Sequence, residues 1–167
     1  MCIRDRFSPI PEDAPRGPEL LVNGGFESVS VPNNEFVQVA SVPGWQVTGA
    51  GGEFWADGFQ GQSASEGDVY AELDFDLDGV DGLSQTVSTT AGQLYEVSFD
   101  IKQRAGKAAA TNGVELRING VVVDTFAPGS TSWQSESFLF EGSGSDTIGL
   151  FETASCLLYT SPSPRDS

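Results

Sequence analysis

The chain has no histidine, a single methionine and two cysteines, and its 167 residues include only eight Lys or Arg against twenty-four Asp or Glu. Lack of imidazole rules out Ser-His-Asp and Cys-His nucleophilic arrangements as well as histidine-built zinc sites. No apolar stretch approaches the roughly 20 residues a membrane helix needs. There is no basic stripe to track a nucleic-acid backbone, and no Gly-rich phosphate loop between a strand and a helix. A formal charge of −16 disfavours polyanions and anionic membrane surfaces as partners, and suits solubility in saline surroundings or a demand for divalent cations.

The termini stand apart from the rest. Residues 1–6 (Met-Cys-Ile-Arg-Asp-Arg) and 156–167, which open Cys-Leu-Leu-Tyr-Thr, look like translations of the two strands of one transposase adapter, because a DNA stretch reading Met-Cys-Ile-Arg-Asp can read Cys-Leu-Leu-Tyr-Thr from its complement. Such segments are set aside before fold is argued. Both Cys2 and Cys156 go with them, so no disulfide argument remains. What is left carries five basic and twenty-two acidic residues, a net charge of −17. Residues 7–18 hold Pro9, Pro11, Pro15 and Pro18 and read as an extended linker to a neighbouring module. Residues 19–155 are long enough for one domain with a true core.

From Glu19 onward short runs rich in Val, Phe, Tyr, Trp and Thr alternate with Gly, Asn, Asp and Pro clusters, which is an all-β pattern. Strands are expected at 20–22, 36–40, 45–48, 68–73, 84–88, 94–104, 114–118, 121–126, 134–140 and 147–152. Val69, Ala71 and Leu73 share one face of their strand and Tyr70 and Glu72 the other; Tyr95, Val97, Phe99 and Ile101 oppose Glu96, Ser98, Asp100 and Lys102. That alternation predicts strands burying one face each. Asn119-Gly120 between two β-rich runs predicts a tight hairpin, with Leu116, Ile118, Val121 and Val123 on the core side. Trp45, Phe54, Phe99, Phe138 and Phe140 are further core candidates. Nine or ten strands at this spacing predict an antiparallel two-sheet sandwich.

Leu21-Val22-Asn23-Gly24-Gly25-Phe26-Glu27, then Val42-Pro43-Gly44-Trp45, resembles the opening of galactose-binding-like carbohydrate-binding modules. The likeness runs on through Glu53-Phe54-Trp55-Ala56-Asp57-Gly58-Phe59, Tyr70-Ala71-Glu72-Leu73-Asp74, Leu83-Ser84-Gln85-Thr86-Val87 and Ala91-Gly92-Gln93-Leu94-Tyr95. The chain is most similar to modules of large secreted bacterial calcium-binding proteins and adhesins. This resemblance implies a jelly-roll sandwich, an extracellular location, a glycan or polysaccharide partner, and neighbouring modules in the same parent chain. It also implies a closing strand beyond Ala154, so that the module is expected to be truncated before its last strand.

Two places are candidates for calcium. Asp74, Asp76 and Asp78, followed by Gly79 and Asp81, set carboxylates at alternate positions as a calcium loop does. Gln85, however, stands where a complete loop would carry a bidentate Glu, and an acidic solvated turn accounts for the same residues. The family resemblance implies in addition that Glu27 helps hold a structural calcium; a turn or surface Glu is the competing reading. For a sugar, the candidate groups are Trp55, Phe59, Tyr70, Glu72 and Arg104, since exposed ring faces stack on pyranose faces while carboxylate and guanidinium groups bond hydroxyls; the competing reading puts Trp55 and Phe59 in the core and has Arg104 only offset the acids. With twenty-two carboxylates chance acid pairs are inevitable, and none is marked as catalytic, so a non-catalytic binding module is expected. The alternative is a calcium-stabilised spacer of an adhesin with no ligand of its own.

Overall fold

The computed structural model describes residues 2–9, 19–49, 51–73, 80–106 and 113–153. Among these the regular structure is all β apart from one short 3₁₀ turn at Phe59–Gly61. Eleven strands run in chain order: β1 Cys2–Pro9, β2 Phe36–Val39, β3 Gln46–Thr48, β4 Gly52–Ala56, β5 Val69–Glu72, β6 Gly82–Ser88, β7 Leu94–Lys102, β8 Val114–Ile118, β9 Val121–Phe126, β10 Gln134–Glu141 and β11 Ser145–Glu152. They form two sheets, ordered β10-β7-β1-β5-β4-β2 and β3-β6-β11-β8-β9, and every strand pairing is antiparallel. One apolar core lies between them. Ile3, Phe54, Ala71, Val97, Phe99 and Ile101 enter it from the six-stranded sheet, and Leu83, Val87, Leu116, Ile148 and Leu150 from the other. The architecture is therefore the sandwich that alternation predicts.

Local chemistry explains where the chain departs from expectation. Leu20–Val22 is not a strand, because the side-chain amide of Gln85 serves both backbone groups of Val22: Val22 N–H donates to Oε1 at 2.7 Å, and Nε2 donates to the Val22 carbonyl at 2.9 Å. A side chain thus takes the place of a ladder partner. Gln85 itself lies in β6, as a link between segments. The turn that follows is held by Asn23, whose Oδ1 accepts from Ser28 N–H at 2.9 Å and whose carbonyl accepts from Trp45 Nε1 at 2.9 Å. Phe26 sits at φ 61° and is fully buried, with its ring 5.4 Å from those of Trp45 and Phe54. Core packing of that ring is what offsets an uncommon backbone conformation for an aromatic residue.

The Asn119-Gly120 hairpin forms with φ of 53° and 81°, the left-handed pair that a two-residue turn of this kind needs. Leu116 and Ile118 are buried and Val123 packs partly against the core, but Val121 is 62% exposed, because it stands at the hairpin end of an edge strand. β4 has no counterpart among the expected strands; its burial is continuous, so it carries no alternation to read. β1 is a larger difference. The segment set aside as adapter-like, with the first residues of the Pro-rich linker, lies in the middle of the six-stranded sheet, where Cys2–Pro9 pair with Lys102–Tyr95 of β7 and Cys2–Ile3 with Glu72–Ala71 of β5. Two facing strand edges offer unpaired backbone groups to any extended segment, and Ile3 gains a fully buried seat there.

Candidate functional site

The outer face of the six-stranded sheet carries the residues read as a sugar site. Glu53 and Trp55 project from β4, Tyr70 and Glu72 from β5, and register sets Glu53 opposite Glu72 and Trp55 opposite Tyr70. The Trp55 ring meets Phe59 edge-on at 4.8 Å and lies 6.1 Å from Tyr70, while Arg104 places its guanidinium 4.8 Å over the Trp55 ring. Four of the five expected residues, Trp55, Phe59, Tyr70 and Arg104, therefore form one contact cluster, and Glu72 flanks it. The expectation that they expose their rings is corrected: Trp55 is 2% and Tyr70 1% exposed. These strands bury both faces because a loop and a second tryptophan cover the outer one.

That cover is built from residues 57–64 and Trp133. Asp57 folds the loop on itself, its Oδ1 accepting from Ala64 N–H at 2.8 Å and its own N–H donating to the Asp68 carbonyl at 2.8 Å. Trp133 precedes β10, donates through Nε1 to the Ser63 carbonyl at 2.8 Å, and stands edge-on to Tyr70 at 5.6 Å. Lys102 fills the space between. Its ammonium lies 5.2 Å from the Tyr70 ring centre and 4.7 Å from that of Trp133, and donates to the Ser63 carbonyl at 3.1 Å and Gln62 Oε1 at 3.4 Å. At 3% exposure a lysine needs such partners, and ring quadrupoles with carbonyl dipoles supply them. Phe59, Trp133, Gln62 and Arg104 remain half-exposed beside Phe36, which is 44% exposed and 5.6 Å from Phe59.

Sequence reasoning missed Glu53, Lys102 and Trp133. Glu53 was legible from Glu53-Phe54-Trp55, since a residue two before Trp55 shares its strand face; its Oε1 accepts from Trp55 Nε1 at 2.5 Å. Lys102 lies on the same row of β7 as Asp100 and could have been read from alternation. Trp133 comes in from a loop, and nothing in its neighbours signals that placement.

The calcium candidates fare differently. Asp74, Asp76 and Asp78 lie outside the described residues. Asp81 is buried at the entry to β6, where its N–H donates to Glu152 Oε1 at 3.1 Å and its carbonyl accepts from Glu152 N–H at 2.9 Å. Glu53, Glu72 and Asp81 line one shallow crevice at this end of the sandwich, yet no three Asp, Glu, Cys or His among the described residues are grouped to hold a metal ion. Glu27 turns its Oε1 to the backbone N–H groups of Asp68 and Val69, at 2.9 and 3.2 Å. It fastens the Asn23–Val29 turn to the start of β5. Gly67 permits this, with φ 68° and the Glu27 carboxylate where a Cβ would stand.

Against family models, curated proteins and solved structures the chain finds no match. The class is thus set by the fold: an all-β, antiparallel two-sheet sandwich with an aromatic and cationic cluster on one outer face.

Proposed function

We propose that the chain is a non-catalytic carbohydrate-binding module, of the galactose-binding-like jelly-roll kind, from a larger secreted bacterial protein with adhesive function. The observation that carries this reading is the outer-face cluster, in which half-exposed Phe59 and Trp133 flank Arg104 and Gln62 over a buried support of Trp55, Tyr70 and Lys102. Rings held by packing offer stacking area with little rotamer entropy left to lose, and guanidinium and amide groups bond hydroxyl pairs. Trp55 and Tyr70 act in this reading as foundation, with Phe36, Phe59 and Trp133 as the surface a sugar meets. Glu72 and Glu53 lie buried beside that foundation, Glu53 accepting from Trp55 Nε1.

A polysaccharide panel read by affinity electrophoresis, followed by calorimetry on any hit, tests the proposal. Binding that is lost in Trp133→Ala and Phe59→Ala but kept in Phe151→Ala, on the other sheet, supports it. A chain that binds no glycan while its unfolding temperature rises with millimolar calcium would replace it by the spacer reading, with Asp74, Asp76, Asp78 and Asp81, or Glu27, as the candidate ligands.

A further inference from the structure

We infer that the slot between β5 and β7 is an acceptor for an extended peptide strand from another polypeptide, and that β1 is a replaceable occupant of it. The slot has a readable chemistry. Along β7 the residues facing the core are Ile101, Phe99, Val97 and Tyr95, all buried, and the β5 residue on that side is Ala71. The alternate positions present Lys102, Asp100, Ser98 and Glu96 on β7 and Glu72 on β5, so three carboxylates stand against one ammonium on the outer row. A fitting strand is apolar at every second residue and basic at the residues between, because alternation sends the two sets to opposite faces.

β1 meets this pattern in part. Ile3 pairs with Ile101 and is fully buried, Phe7 pairs with Val97, and Arg4 and Arg6 pair with Asp100 and Ser98. Asp5, however, pairs with Phe99, and Pro9, which has no N–H to donate, pairs with Tyr95. Central strands seldom carry either feature. Residues 2–6 are also those whose sequence resembles translated adapter. Main-chain ladders supply the affinity of an added strand and alternate side chains its selectivity, so a peptide free of both mismatches should displace β1.

The probe is a fluorescent eight-residue peptide with the β1 sequence altered as Asp5→Val and Pro9→Val, titrated into the full chain and into its Ile3→Asp variant. Saturable binding is expected, about ten-fold tighter for Ile3→Asp, in which β1 competes less well (a factor equivalent to about 1.4 kcal/mol). A peptide of the same composition with its apolar residues contiguous should not bind. Equal binding of the two peptides, equal affinity for the two chains, or no binding overturns the inference, as does a concentration-dependent dimer formed by exchange of β1. Should Ile3→Asp fail to fold, Asp5→Val within the intact chain decides: a raised unfolding temperature supports the slot's alternation, and an unchanged or lowered one refutes it.

Discussion

Asp146 offers the sharpest test of how the sandwich is held. Its carboxylate is 1% exposed at the start of β11 and accepts four hydrogen bonds: Thr89 Oγ1 at 2.5 Å, Ser143 Oγ at 2.6 Å, Asn119 Nδ2 at 2.8 Å and Ser143 N–H at 2.9 Å. Burial alone would raise its pKa, but these bonds outweigh burial and hold it well below the ordinary carboxylate range. In Asp146→Asn one oxygen becomes an NH₂ that must face either Ser143 N–H or Asn119 Nδ2. Neither can turn acceptor, since the Asn119 oxygen already receives Thr147 N–H at 2.8 Å. One buried donor left facing another, with the charge assistance to the remaining bonds lost, costs about 3 kcal/mol. For a domain of this size that lowers the unfolding temperature by about 6–12 °C. The folded-state pKa is depressed, so the stabilisation is complete above the unfolded-state pKa and is lost as pH falls toward the folded one. Calorimetric melts of both chains should differ most at pH 7, and the gap should narrow below about pH 4, by about 1.4 kcal/mol per pH unit. Equal melting at neutral pH, or a gap as wide at pH 2.5 as at pH 7, would refute the reasoning.

Gln85→Ala should cost about 1–2 kcal/mol in urea unfolding, because it strands both backbone groups of Val22. Glu27→Gln should lose less, about 1 kcal/mol, since an amide oxygen can still accept from Asp68 and Val69; Gly67→Ala should lose more than Glu27→Gln, because it adds left-handed strain to the displaced carboxylate. Lys102→Met keeps the stem and removes the ammonium between Tyr70 and Trp133, for which a loss of about 2 kcal/mol is expected, together with a change in tryptophan fluorescence that Arg117→Met, remote from Trp133, should not produce.

Much of the sandwich was legible because alternation has a direct physical cause. Tyr95, Val97, Phe99 and Ile101 face the core as their spacing requires, and Asn119-Gly120 turns where left-handed residues permit. Legibility fails where one side chain substitutes for a backbone partner, as Gln85 does for Val22, or where a strand buries both faces, as β4 and β5 do beneath Trp133 and the 57–64 loop. The aromatic members of the outer cluster could be named from sequence, but their burial could not, since cover by a segment some seventy residues away leaves no local trace. β1 shows the converse limit: a strand edge fixes the backbone of its neighbour more strongly than it fixes that neighbour's sequence.

β9 ends the smaller sheet with Val121 and Val122 open to solvent. An unpaired, apolar strand edge ordinarily invites a second copy, and on this chain the main opposing force is the repulsion between bodies that each carry a charge of −16. That force acts over a Debye length, about 8 Å at physiological ionic strength and about 3 Å at 1 M, whereas contact between edges needs no such reach. Raising the ionic strength therefore shortens the reach of the force that keeps one β9 edge from another.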